Sequence, residues 1–196
     1  MNKRNFDTEM QNLIEKNKGK KLLLHSCCAP CSTACIERLK DYLDITIYYY
    51  NPNIDSDFEY NKRLNEQIKY CDGLGIKVVY EDHNSSDFYD IAKGLENEKE
   101  GGSRCEKCFY LRLNKTANKC KELGFDFFAT TLTVSPLKNS ALINAIGEKI
   151  ENITGAKYLV SDFKKKDGYK RSVSLSNENS LYRQNYCGCE FSKRDL

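Results

Sequence analysis

The chain has 196 residues, of which 40% are hydrophobic and 30% charged, with a formal net charge of +3. That length and composition suit one globular domain and exclude a disordered, fibrous or two-domain chain. No run of about 18 apolar residues is present to span a bilayer. The opening MNKRNFDTEMQNLIEKNKGKK lacks the apolar stretch of a secretion signal, so a cytoplasmic protein with no membrane partner is expected.

In chain order, Phe6, Met10 and Leu13 recur at helical spacing and predict a helix over 5–18, within an N-terminal helical extension spanning 1–20 of a single domain, 1–196. KLLLH (21–25) has the length and apolar character of a strand. PCSTACIERLKD (30–41) opens on proline, which is favoured in a first helical turn. DITIYYY (44–50) is β-branched and aromatic and predicts a strand, with NPN as the turn after it. Residues 55–72 read as helix, GIKVVYE (75–81) as strand, 103–123 as a long helix, and FDFFATT (125–131) as strand. The loop SPLKN follows, then a helix over 139–153 and a last strand, AKYLV (156–160). No internal repeat or Pro/Ser-rich linker divides the chain. Strands alternating with helices at this spacing predict an α/β fold, a parallel sheet covered by helices on both faces. Such sheets bind ligands at the carboxyl ends of their strands. HSCCAPC, YYNPN and TTLTVSPLKN are thereby placed on one rim.

Ten cysteines in a chain expected to meet a reducing cytosol are ligands, catalytic thiols or buried residues rather than disulfides. Three clusters stand out: Cys27, Cys28 and Cys31; Cys105 and Cys108; Cys187 and Cys189. The first sits where a strand gives way to a helix, whose exposed N–H groups favour thiolate. A phosphate cradle at that place would need glycine, and no glycine lies between Leu22 and Asp72. Zinc needs four sulfurs, the three clusters offer seven, and 76 residues separate Cys28 from Cys105, far more than in a compact zinc ribbon. Iron–sulfur, zinc and thiol-redox chemistry all stay open on the residues alone, with iron–sulfur ahead. Cys-Gly-Cys at 187–189 suits metal ligation or transient redox use, because a disulfide between such close neighbours is strained. Cys71 and Cys120 read as core residues, and Cys35, one turn beyond Cys31, is less settled.

His25, at the end of the first strand, is expected to be packed and hydrogen-bonded, with a ligand or proton-donor role as the alternative; His83 carries no signal. One or two of Tyr48, Tyr49 and Tyr50 are expected in the core. A rim tyrosine such as Tyr50, with Asn51 and Asn53, suits a flat heterocycle. Residues 157–194 hold nine Lys/Arg against four Asp/Glu. Within them Lys164, Lys165, Lys166, Lys170 and Arg171 interleave with Phe163 and Tyr169, a candidate nucleic-acid strip or simply a solvated loop. Arg183 either steers an anion or pairs with Glu178.

LLLHSCCAPCS (22–32), YYNPNI (49–54), RCEKCFYLRL (104–113), TTLTVSPLKN (130–139), DFKKKDGYKRS (162–172) and YRQNYCGCEFS (182–192) together resemble the QueH-type epoxyqueuosine reductases of tRNA queuosine biosynthesis. The resemblance runs in order from residue 22 nearly to the end. It implies a Rossmann-like domain akin to adenine-nucleotide hydrolases, with a [4Fe-4S] cluster on Cys27, Cys28, Cys105 and Cys108. Cys187 and Cys189 would be a redox-active pair or ligands of an additional mononuclear iron, and Cys31 a further thiol for that second site. The implied reaction is two-electron deoxygenation of the epoxide on the wobble nucleoside of tRNA, with Lys164, Lys165, Lys166, Arg171 and Arg183 toward the RNA and an unidentified electron donor. A zinc-stabilised RNA-binding domain and a metal-free thiol–disulfide protein are the rival readings.

Overall fold

The computed structural model describes residues 4–193; residues 1–3 of the expected N-terminal extension and Arg194 of the basic segment lie outside them. Four strands, β1 (Lys21–His25), β2 (Asp44–Tyr49), β3 (Lys77–Tyr80) and β4 (Phe127–Thr130), pair in parallel in the order β3-β2-β1-β4. The helices are α1 (Phe6–Lys16), α2 (Ala29–Leu39), α3 (Asp57–Asp72), α4 (Ser86–Ala92), α5 (Ser103–Glu122), α6 (Ser140–Thr154) and α7 (Gly168–Glu178).

β1 is apolar on both sides because both of its faces are covered. Leu22 and Leu24 pack with Met10 and Ile14 of α1 and Ile36 and Leu39 of α2. Leu23 points the other way, into Phe109 and Leu113 of α5 and Ile143 and Ile146 of α6. The chain winds from β1 through β2 to β3 at one edge, then returns to lay β4 on the other side of β1. The carboxyl ends of β1 and β4 therefore flank the switch point, where successive loops diverge and leave a crevice.

Three expectations are corrected. Residues 156–160 form one parallel bridge, Phe128 with Tyr158, rather than a strand. Just beyond it, the buried Asn144 side chain takes both the N–H and the C=O of Ser161, at 3.0 and 2.8 Å, in place of a strand partner. The short helix α4 lies in a stretch given no element from sequence. α7 covers part of what reads as a basic strip, and its buried face is Gly168, Ser172 and Ser176, small residues one turn apart with no apolar signal. A Cβ on Gly168 would stand 1.8 Å from the Phe163 carbonyl oxygen, so only glycine allows that approach.

Candidate active site

α2 begins directly at the cysteines. Cys28 is its N-cap in extended conformation with no side-chain cap bond, and Pro30 lies in the first turn. The Sγ atoms of Cys27, Cys28 and Cys31 all lie within 4.8 Å of one another, with Cys27 and Cys28 at 3.8 Å. Cys27 Sγ also lies 3.8 Å from Thr131 Oγ1, just beyond β4, which sets the group across the switch point. Hydrogen bonds from Cys28 and Cys31 hold the Cys27 thiol well below its ordinary range, with Arg112 and Lys138 adding attraction. The proton stays on its neighbours: Cys28 is pushed up to about 12, first by its bond to Cys27, and Cys31 is raised by the same sharing. One thiolate shared among three sulfurs is a nucleophile or a first metal ligand.

The other clusters arrive from the opposite side. Cys105 and Cys108 lie in the first turns of α5, and burial pushes Cys108 up to about 12. The segment after α7 then crosses the strand ends and brings Cys187 and Cys189 to them. It is fastened by Tyr182 N–H to Glu66 at 3.0 Å, the Tyr186 hydroxyl to Asp55 at 3.1 Å, and Asp55 N–H to the Gly188 carbonyl at 3.0 Å. Arg63, ion-paired to Glu59 at 2.7 Å, donates to the Cys187 carbonyl at 3.3 Å. Gly188 sits at φ +120, where a Cβ would come within 3.0–3.2 Å of Ile54, Asn53 and Arg63. That loop therefore needs glycine between its two cysteines.

Two voids result. A cavity of about 280 Å³ is lined by Cys27, Cys31 and Cys187 together with Lys138, Tyr169 and Arg183. A void of about 20 Å³ beside it touches Cys105, Cys108, Cys187 and Cys189, together with Asn53 and Arg104. Cys187 lines both. Seven thiols are thus gathered at the sheet's carboxyl edge, divided into a tight trio and a looser four. Two sulfurs on one tetrahedral ion with bonds of about 2.3 Å stand about 3.8 Å apart, so the trio by itself suits a single ion. The four further thiols exceed what one such ion uses, and a donor set of this size fits a multinuclear iron–sulfur group.

The remaining expected residues fare unevenly. His25 is fully buried and bonded to Thr130 Oγ1 at 2.9 Å, and burial with Arg112 beside it pushes its pKa down to about 3. It is the packed, hydrogen-bonded histidine expected. His83 stacks on Tyr60 with ring centroids 4.5 Å apart. Tyr48, Tyr49 and Tyr50 are all buried, and the Tyr50 hydroxyl donates to Asp87 at 2.7 Å. Asn51 is consumed internally, donating to the Ser26 carbonyl at 2.9 Å and accepting from Arg112 at 2.5 Å. Asn53 is buried at the smaller void with its Oδ1 unpartnered. Phe163, expected as an interleaved stacking ring, is core. Lys164 pairs with Asp162, Lys166 with Asp7, and Arg171 with Glu37, while Lys165 is exposed. Arg183 bonds Ser176 Oγ and the Ser172 carbonyl rather than Glu178, which Arg171 takes. Cys35, Cys71 and Cys120 are buried. Lys138 and Arg112 were not singled out from sequence. Arg112 lies one helical turn beyond Cys108, a spacing that marks the same face of α5.

The family model described as Epoxyqueuosine reductase QueH matches residues 22–195. Proteins named Epoxyqueuosine reductase QueH from Staphylococcus epidermidis and Streptococcus pyogenes serotype M1 are each 42% identical over 200 residues. The alignments cover 96% and 97% of this chain and 84% and 78% of theirs. A Thermotoga maritima protein of the same name is 37% identical, with 87% of this chain and 89% of its own covered. Among solved structures, the U34-tRNA thiolase NcsA from Methanococcus maripaludis with its [4Fe-4S] cluster superposes with a TM-score of 0.56 at 15% identity, covering 96% of this chain and 69% of that one. This likeness establishes the fold, a Rossmann-like α/β domain built on a parallel sheet.

Proposed function

The chain belongs to the epoxyqueuosine reductase QueH family of oxidoreductases, and from that premise we propose that it deoxygenates epoxyqueuosine at the wobble position of a tRNA anticodon. Two electrons and two protons enter, both C–O bonds of the epoxide break, a C=C bond forms in the cyclopentane ring, and the oxygen leaves as water. The observation that carries the reading is the thiol trio at the N-terminus of α2, opening into a cavity that Cys187 also lines.

The donor set suits an iron–sulfur group. Cys27, Cys28, Cys105 and Cys108 would hold a [4Fe-4S] cluster, and Cys31, Cys187 and Cys189 are the thiols left for an additional iron or, in the last two, a redox pair. When bound, such a centre supplies single electrons and a Lewis-acidic iron. The chain's own residues bind and orient. At about 280 Å³ the cavity is small for a ligand cleft, so it admits a base with its ring substituent and leaves the rest of the RNA outside. In the cavity's lining, the Arg183 guanidinium lies 6.0 Å from the centroid of the Tyr169 ring, a surface on which a purine-like base stacks. The strap at 181–192 covers the thiols on their open side. The partners in this reading are tRNA and an electron donor of unidentified nature, meeting in the cytoplasm.

Iron, zinc and acid-labile sulfide per chain in protein purified without oxygen test the reading. About four iron and four sulfide, with any surplus iron unmatched by sulfide, are expected. Stoichiometric zinc without sulfide overturns it in favour of a zinc-stabilised RNA-binding domain.

A further inference from the structure

Arg112 is only 1% exposed, yet among the described residues none of its nitrogens meets a carboxylate. Nε donates to His25 Nε2 at 3.3 Å, Nη2 donates to Asn51 Oδ1 at 2.5 Å, and Nη1 points at Cys108 Sγ at 4.0 Å. Both firm acceptors are neutral, since burial keeps His25 uncharged. Lys138, half-buried, also meets no carboxylate among the described residues, from the cavity side. Its side chain lines the same cavity as Cys27, Cys31 and Cys187, and among the described residues no carboxylate is within ion-pair distance of either cation. Burial works against the Lys138 ammonium, and attraction to the sulfurs of Cys187, Cys27 and Cys31 more than offsets that, holding its pKa above the ordinary range. A fully buried cation such as Arg112 without a counter-ion costs several kcal/mol, so its partner must be supplied by what the site holds. Neutral thiols cannot supply it; thiolates carrying a metal group can.

We propose that Arg112 and Lys138 are the fixed counter-charges of the cysteine centre, flanking it from the protein side and the cavity side and raising the reduction potential of the group bound there. This rests on the reading that the cysteines hold an iron–sulfur group. Each one-electron reduction adds a negative charge to that group. In a site of low dielectric, a fixed cation beside it stabilises the reduced form more than the oxidised form. Arg112 acts through the sulfurs and touches no substrate. A purely structural role, tying His25 at the end of β1 to Asn51 after β2 and to α5, predicts lost stability with no change in potential.

The test is an anaerobic dithionite titration of the holoenzyme, followed by EPR and visible absorbance, for wild type, Arg112→Lys, Arg112→Gln and Lys138→Gln. Arg112→Gln is expected to lower the reduced-to-oxidised ratio at a given potential tenfold or more, equivalent to about 59 mV for a one-electron couple. Lys138→Gln should shift the same way by less, and Arg112→Lys should stay near wild type. Potentials unmoved in Arg112→Gln and Lys138→Gln, or moved as far in Arg112→Lys as in Arg112→Gln, overturn the proposal while leaving the proposed reaction standing. If Arg112→Gln does not fold or retain iron, Lys138→Gln decides, because Lys138 is a half-buried residue of the loop before α6. Wild-type protein free of iron and sulfide overturns the proposed function, and this inference with it.

Discussion

Cys27 illustrates how far a single residue can be read. Its type and its place after an apolar strand were legible, because the N–H groups of a helix N-terminus favour thiolate; which of the neighbouring thiols carries the charge depends on burial and on the bonds among them. That Cys31 joins Cys27 and Cys28 within 4.8 Å required the first turn of α2 to be in place. Replacing Cys27 or Cys108 by alanine should abolish iron retention and epoxide deoxygenation together, as measured by metal analysis and by nucleoside chromatography of treated tRNA; activity that survives without iron would contradict the proposed chemistry. Gly188→Ala meets both a left-handed φ and three neighbours at 3.0–3.2 Å. It should loosen the 181–192 strap by about 1–3 kcal/mol. Faster alkylation of Cys187 by iodoacetamide, with little change in the melting of the sheet, is the signature; an unchanged rate means that the strap tolerates the side chain.

At the scale of elements, the strands were legible and α7 was not, for one physical reason. β1 and β2 bury apolar side chains and so advertise themselves, whereas α7 buries Gly168, Ser172 and Ser176 against its neighbours, and small polar residues leave no hydrophobic period. α7 is tied to α2 at its surface by Arg171, whose guanidinium meets Glu37 at 2.7 Å. That hydrogen bond from Arg171 holds the Glu37 carboxyl below its ordinary range. The folded pKa is depressed, so the stabilisation is present above the ordinary carboxylate range and is lost as pH falls through the lowered value. The Tm difference between wild type and Glu37→Gln should accordingly be present at pH 7 and shrink toward pH 3; a difference independent of pH rules out this ion pair as its source. Asn139 caps α6 by accepting from the N–H groups of Ala141 and Leu142, directly after the loop bearing Lys138. Asn139→Ala should cost about 1 kcal/mol in a denaturant titration, and a cost near zero would mean that water replaces the cap.

For the whole molecule, the strand order decides where chemistry can occur. Because β4 joins β1 on the side opposite β2, the loops after β1 and β4 part at the crevice, and thiols from residues 27–31, 105–108 and 187–189 converge there. The basic segment reaches that crevice through Tyr169 and Arg183, which line the cavity. Several of its cations are committed to ion pairs within the chain, yet exposed pairs of this kind are worth under about 1 kcal/mol and exchange readily for phosphate. Replacing Lys165, Lys166 and Lys170 together by alanine should weaken tRNA binding and reduce the slope of log K against log salt by about two. A slope equal to wild type would remove this face from the RNA interface.

The sequence by itself determined the α/β class, the parallel sheet, the rim carrying HSCCAPC and TTLTVSPLKN, and the three thiol clusters. Each of these follows from local patterns: apolar runs of strand length, proline in a first turn, cysteines at short spacing. Only the tertiary structure decided which thiols meet, that Asn51 serves Arg112 rather than facing outward, that Phe163 is core, and that Arg112 and Lys138 bring uncompensated charge to the site. Those outcomes depend on contacts between residues tens of positions apart, and on whether a side chain's partner is a carboxylate, a carbonyl or a sulfur. Chain packing settles such partnerships, and no local pattern encodes them.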